Sequence, residues 1–130
     1  MRNHAENFMI SAEYDLGIAE HLLNIGRYIY LVFMCHLVLE KMLKAIAVET
    51  TKTPAPKTHN LLYVTSLAEI NIPDRHLAFV SKINNASIPT RYPEDFTKLI
   101  EVYPADIIAA CRKQTRDVIE WLKQNAKLKK

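Results

Sequence analysis

The most constraining feature of the sequence is the stretch Tyr28 to Leu39, YIYLVFMCHLVL, which carries no Asp, Glu, Lys or Arg. A helix that is apolar on every side belongs in the middle of a protein, because no face of it can be left in water. Glu40, Lys41 and Lys44 follow at once, and an apolar run this short cannot cross a bilayer, which takes about 20 residues. The stretch therefore predicts the central helix of a small bundle, buried at its start and polar at its end. With 130 residues, 49% of them apolar and 24% charged, the chain can surround such a helix within a single domain covering its whole length. Gly17 and Gly26 are the only glycines, too few for the tight turns of a β-rich fold. The expected class is all-α: an antiparallel bundle of about five helices, three long and two short.

Periodicity places the others around it. Ala5, Met9, Ala12, Leu16, Ala19 and Leu23 recur at steps of four and three, so a first helix from about Asn3 to Asn24 buries one face. Glu6, Glu13 and Glu20 mark its opposite, solvated face. Asn24-Ile25-Gly26 ends it, Gly26 suiting a left-handed C-terminal cap, and so short a connection returns the next helix antiparallel. That central helix, about Arg27 to Thr50, carries the stripe Tyr28, Leu31, Cys35, Val38 or Leu39, Met42 and Ile46, widened by Phe33, Leu37 and Val48. Thr50 to Lys57 holds two prolines and reads as a loop. Thr58 is placed to cap a short helix from His59 to Ala68 or Glu69, and Pro73-Asp74 opens another to about Asn85. Asn84 to Glu101, with Pro89 and Pro93, reads as irregular. Pro104 suits the first turn of a last helix, to about Lys127, along Ile108, Cys111, Thr115, Val118 and Leu122 with Trp121 as an anchor.

Several function classes drop out. A net charge of +3 is too small for a nucleic-acid footprint by itself, and the lysines of Lys123 to Lys130 read as a solvated helix end complementing the dipole. The polar start MRNHAENFM is not a signal peptide, so a cytoplasmic protein with no membrane association is expected. Cys35 and Cys111 fall in apolar patterns and read as small buried core residues, not a disulfide or a metal pair. His4, His21, His36 and His76 lack ligand spacing, so no metal is expected; His36 reads as a satisfied core histidine. The nucleotide-loop, dinucleotide and nucleophile-elbow signatures are absent, and no cofactor is expected.

Three short segments could carry chemistry. In Glu40-Lys41-x-x-Lys44, Glu40 and Lys44 are four apart and can pair on the surface, yet they adjoin the most apolar helix and must reach a cleft or a partner. In Pro56-Lys57-Thr58-His59, a lysine and a histidine precede a helix whose free N–H groups could seat a phosphate; equally, His59 could hydrogen-bond a neighbouring carboxylate such as Glu40. In Arg91-Tyr92-Pro93, arginine suits bidentate recognition of phosphate and tyrosine offers a stacking face, the alternative being an arginine that locks the segment onto the bundle.

Taken in order, Ala12-Glu13-x-Asp15-Leu16 with Ala19, Gly26-x-Tyr28, Glu40-Lys41-x-x-Lys44-Ala45, Pro56-Lys57-Thr58-His59-x-Leu61, Arg91-Tyr92-Pro93 and Ile119-x-Trp121-Leu122 resemble the HEPN domain over nearly the whole chain. The family takes its name from higher eukaryotes, prokaryotes and suspected nucleotide binding. The resemblance implies an antiparallel helical bundle that commonly dimerises. It also implies frequent pairing with a minimal nucleotidyltransferase, in a toxin–antitoxin-like couple. Several branches are metal-independent RNases built on an R-x(4–6)-H motif, and no arginine of this sequence has a histidine at that spacing. The expected function is therefore a HEPN protein, not an RNase, that binds a nucleotide, RNA or a nucleotidyltransferase partner through Lys41, Lys44, Lys57, His59, Arg91 and Tyr92. One alternative is an RNase toxin with a diverged centre, His59 acting as base with Arg91 or Lys57 stabilising the phosphorane. Another is a purely structural dimerisation or interaction module. A two-fold homodimer that buries part of helix 1 or helix 2 is expected in either case.

Overall fold

The structure is a computed structural model that describes residues 4–91, 104–125 and 128, without the side chains of 87–91. Five helices make up the described residues, with no strand among them: α1 (His4–Asn24), α2 (Tyr28–Thr51), α3 (Leu61–Ala68), α4 (Asp74–Arg91) and α5 (Ala105–Lys123). The expected all-α bundle is what forms. Helix α2 packs against each of the other four, and Leu31, Leu39, Met42, Leu43 and Ile46 along it are fully buried. Each such side chain contributes about 1.5–3 kcal/mol on leaving water, so the apolar run of the sequence is the axis of the core.

The turn between α1 and α2 is set by Gly26. Its φ of 76° lies in the left-handed region that glycine enters without a Cβ penalty. There the Gly26 amide bonds the Leu23 carbonyl at 3.3 Å and the Arg27 amide bonds Leu22 at 3.0 Å, the paired closure of a Schellman cap. The chain then doubles back, and Ala12, Leu16 and Ala19 of α1 bury against α2. A polar clamp joins the same two helices: Lys41 donates to Asp15 at 2.5 Å and to Ser11 at 2.7 Å.

Three expectations are corrected. The irregular segment proposed from Asn84 is helical as far as Arg91, because the buried run Val80 and Ile83 continues inward through Ala86. Pro89 falls near the helix end, where it removes one donor without ending the apolar stripe. Helix α3 starts at Leu61, not His59, because Asn60 takes the capping role expected of Thr58. Its side chain accepts from the Leu62 and Tyr63 amides, while Asn84 accepts from the Leu61 amide at 2.8 Å. Finally, the acidic side of α1 is not simply solvated. Glu20 holds Arg112 and Arg116 of α5, each at 3.2 Å, and Glu13 pairs with Lys123. On α5, Ile108, Cys111, Thr115, Val118 and Leu122 are all buried as the spacing predicts.

Candidate functional site

His36, Glu40 and Lys44 recur at four-residue steps, so α2 carries all three on one face, and all three are buried. That face meets the loop leading into α3. Glu40 Oε1 accepts from His59 Nδ1 at 2.7 Å, and Glu40 Oε2 accepts from the Lys44 ammonium at 3.2 Å. His36 Nε2 donates to the His59 carbonyl at 2.9 Å, fixing the backbone that carries the second imidazole, while its Nδ1 stands 3.9 Å from Glu40 Oε1. One carboxylate thus gathers a lysine, a core histidine and a loop histidine.

Burial divides these roles. The Glu40 and Lys44 side chains are 7% and 10% exposed, whereas that of His59 is 61% exposed. A buried carboxylate without a partner would be unstable, and Lys44 supplies the charge that allows it there. With Nδ1 committed to Glu40, the His59 ring has a fixed orientation, leaving Nε2 as the outward nitrogen, an acceptor in the neutral ring and a donor in the imidazolium. A buried carboxylate orienting an exposed imidazole is the arrangement used to position a general base or an anion contact.

The candidates predicted from sequence separate into groups. Lys44 and His59 come together on Glu40: the Glu40–Lys44 pair is buried instead of lying on the surface, and the Glu40–His59 hydrogen bond is the one the sequence offered as the alternative to a phosphate seat. Lys57 is exposed two residues before His59 in the same loop. Lys41 turns a quarter-turn away, to the Asp15 clamp, and so belongs to the α1–α2 interface. Arg91 closes α4, its side chain outside the described residues, and Tyr92 lies outside them altogether. The phosphate seat proposed at the start of the short helix has its first three amides already engaged by Asn60 and Asn84. Sequence reasoning missed His36 as a member of the cluster. The signal that could have found it is its four-residue spacing from Glu40 and Lys44 on an otherwise apolar helix. Among the described residues no group of three His, Cys, Asp or Glu side chains could hold a metal ion, and no helix is long and apolar enough to cross a membrane.

The model of the HEPN domain family matches residues 5–125. The chain belongs to the HEPN domain family. Two solved structures share the HEPN fold seen here. TT1696 from Thermus thermophilus superposes with a TM-score of 0.80 at 17% identity, covering 95% of this chain and 98% of that one. ST0689, an archaeal HEPN homologue, superposes with a TM-score of 0.74 at 21% identity, covering 95% of this chain and 97% of its own. At those identities the likeness shows the fold alone. No curated protein matches the sequence. Within this HEPN domain, the Glu40 cluster lies where the central helix meets the α2–α3 loop, the region of the Glu40-Lys41-x-x-Lys44-Ala45 and Pro56-Lys57-Thr58-His59 motifs.

Proposed function

We propose that this HEPN protein binds a phosphate-bearing ligand, a nucleotide or RNA, at the face formed by the α2–α3 loop, and serves as one half of a toxin–antitoxin-like pair with a minimal nucleotidyltransferase. The observation that carries the binding reading is His59, an exposed imidazole held by a buried carboxylate at 2.7 Å. A ring held this way meets a ligand without first losing rotamer freedom, and Lys57 in the same loop adds an ammonium for a second phosphate oxygen. Lys44 and Lys41 take no part in contact: one neutralises Glu40, the other ties α1 to α2. The nucleotidyltransferase partner is supported by family membership alone. A second copy of the chain is the proposed cover for Ile10, Tyr14 and Ile18, three exposed apolar side chains at four-residue spacing on α1.

One observation favours a second reading. The Glu40–His59 pair has the geometry of a general base oriented by a carboxylate, so an RNase with a centre diverged from R-x(4–6)-H is chemically coherent. One experiment tests both. A labelled single-stranded RNA and a nucleoside triphosphate are titrated with the wild type, His59→Ala and Lys57→Ala in the presence of a metal chelator. Lys57→Ala removes one charge-assisted phosphate contact, worth about 1.5–3 kcal/mol, and weakens binding roughly tenfold or more, while His59→Ala removes the ring contact and its hydrogen bond, worth about 0.5–1.5 kcal/mol. Equal affinity of both variants and the wild type would exclude this face as the site. RNA cleavage in chelator that disappears in His59→Ala would select the RNase reading.

A further inference from the structure

A pocket of about 230 Å³ opens beside the loop that carries Lys57 and His59. Two contacts place its walls. His36 Nε2 donates to the His59 carbonyl at 2.9 Å, and the Thr50 hydroxyl meets the Ala68 carbonyl at 3.1 Å, so α3 runs alongside α2 in the same direction. The loop from Lys52 to Asn60 returns next to α3, and the pocket is the gap between loop and helix over the last turns of α2. Val48 and Thr51 line it from α2, Pro54 and Pro56 from the loop, and Tyr63 and Leu67 from α3.

The lining side chains are apolar but for Thr51, Thr53 and Tyr63. The two threonine hydroxyls pair at 2.8 Å, and the Thr53 amide donates to Thr51 Oγ1 at 3.3 Å. One hydroxyl proton and at least one acceptor lone pair of the threonines remain for a ligand. Tyr63 is 49% exposed and its amide is held by the Asn60 side chain at 3.2 Å, so it offers an aromatic face that the core does not use. The volume is below the roughly 300 Å³ at which sites for drug-sized ligands begin. Apolar walls, one aromatic face and a short hydrogen-bonding edge match a single flat heterocycle, the chemistry of a nucleobase.

Charge stands on one side of this pocket. Lys57 follows Pro56 directly, and His59 comes three residues after Pro56, at most about 11 Å along an extended chain. At the other end of the loop the Lys52 ammonium is already held by Glu49 at 3.2 Å. We propose that the pocket holds the base of a free nucleoside polyphosphate, stacked on Tyr63, with its phosphates passing Lys57 toward His59. The proposal rests on the reading of Lys57 and His59 as phosphate contacts and narrows their ligand from nucleotide or RNA to a mononucleotide. Two cationic positions beside a one-base pocket suit the phosphates of one small molecule, whereas a polynucleotide is held by a longer run of lysine and arginine. The loop is fastened at His59 and stiffened by two prolines, so little order remains to be gained on binding.

The test titrates ATP, GTP, CTP and UTP, each alone, and inorganic tripolyphosphate into the wild type, Tyr63→Ala, Tyr63→Phe, Lys57→Ala and His59→Ala, with a metal chelator present. At least one of the four nucleotides should bind the wild type more tightly than tripolyphosphate does. Tyr63→Ala should weaken that nucleotide about tenfold or more and leave tripolyphosphate unchanged. Tyr63→Phe keeps the ring and should bind as the wild type, and Lys57→Ala should weaken both ligands. Far-UV circular dichroism establishes that each variant is folded. Should Tyr63→Ala fail to fold, Thr53→Val at an exposed loop position decides instead, weakening the nucleotide but not tripolyphosphate. Nucleotide binding that depends on Lys57 but is indifferent to Tyr63 and Thr53 would overturn the base pocket and leave the phosphate face standing. Binding that depends on Tyr63 but is indifferent to Lys57 and His59 would remove the phosphate contacts, and with them the direction proposed for the ligand. The proposal is also overturned if none of the four nucleotides binds, or if a single-stranded RNA binds where none of them does.

Discussion

Replacing Glu40 with glutamine tests the electrostatic centre of the molecule. The change keeps the size and an acceptor oxygen but removes the charge that faces the Lys44 ammonium at 3.2 Å. Both side chains are almost fully buried, so water cannot take over from the carboxylate. Breaking a buried ion pair from one side costs about 3–5 kcal/mol. The Lys44 stem is long enough to move its head toward solvent, which sets the expected cost at the lower end. A domain of this size shifts its melting temperature by roughly 3–5 °C per kcal/mol, so Glu40→Gln should melt about 10–15 °C below the wild type by circular dichroism.

The partner substitution makes the reasoning refutable. Glu40→Gln combined with Lys44→Met removes both charges, and a buried pair exchanged for neutral groups of similar volume is close to neutral in stability. The double variant should therefore recover most of the loss, a coupling of about 2 kcal/mol or more in the cycle. His59 tolerates either change, since its ring is largely in water. A Glu40→Gln melting point within about 2 °C of the wild type, or a double variant no better than the single one, would show that Lys44 does not depend on Glu40.

Three further outcomes are expected. Asn60→Ala removes the side chain that caps the Leu62 and Tyr63 amides and should cost about 1 kcal/mol in a denaturant titration; a change near zero would mean the cap is inert. Tyr14→Arg, placing a charge in the exposed α1 stripe, should shift sedimentation from dimer to monomer while leaving the melt of the monomer unchanged. His76 lies 6.2 Å from the Trp121 ring and is held below the ordinary histidine value by burial and Arg75, against Asp117. The unfolded chain therefore takes up this proton first as pH falls, so the His76 contribution is complete above about pH 6.5 and lost on acidification below it. Fluorescence of Trp121, the one tryptophan, should report the protonation with a midpoint below about 6.5 that His76→Asn abolishes.

What the sequence disclosed and what it withheld follow from the range of the interactions. Gly26 was legible because a short-range rule, the left-handed cap, decides it. The α5 stripe was legible because periodicity counts only neighbours on one helix. The start of α3 and the end of α4 were less so. Asn60 and Thr58 are equally good capping residues by type, and the choice rests on Asn84, a side chain more than twenty positions away that accepts the Leu61 amide. Likewise Pro89 looks like a breaker locally, while the inward run of Val80, Ile83 and Ala86 continues the helix past the pair of asparagines. Lys41 shows the same limit. Nothing beside it in sequence distinguishes it from Lys44, yet one helical position turns it toward Asp15 of α1 and the other toward the loop.

The candidate site follows from the burial of α2 itself. Most of α2 is enclosed by its neighbours, so a polar group on its buried faces must find its partners inside or at a seam between neighbours. His36, Glu40 and Lys44 lie along one such seam, where the two-proline loop crosses between α2 and α3. Glu40 is satisfied there by Lys44 from its own helix and by His59 from the loop, and the loop in turn is fastened by the His36 bond to the His59 carbonyl. The exposed ring is thereby held by two buried residues of the most deeply buried helix in the fold. Moving His59 requires breaking contacts that belong to the core, so the orientation of its outer nitrogen is set before any ligand arrives. A purely structural clamp would be satisfied with the imidazole buried beside Glu40, and it is the placement of the ring in water at the end of that clamp that the binding reading explains.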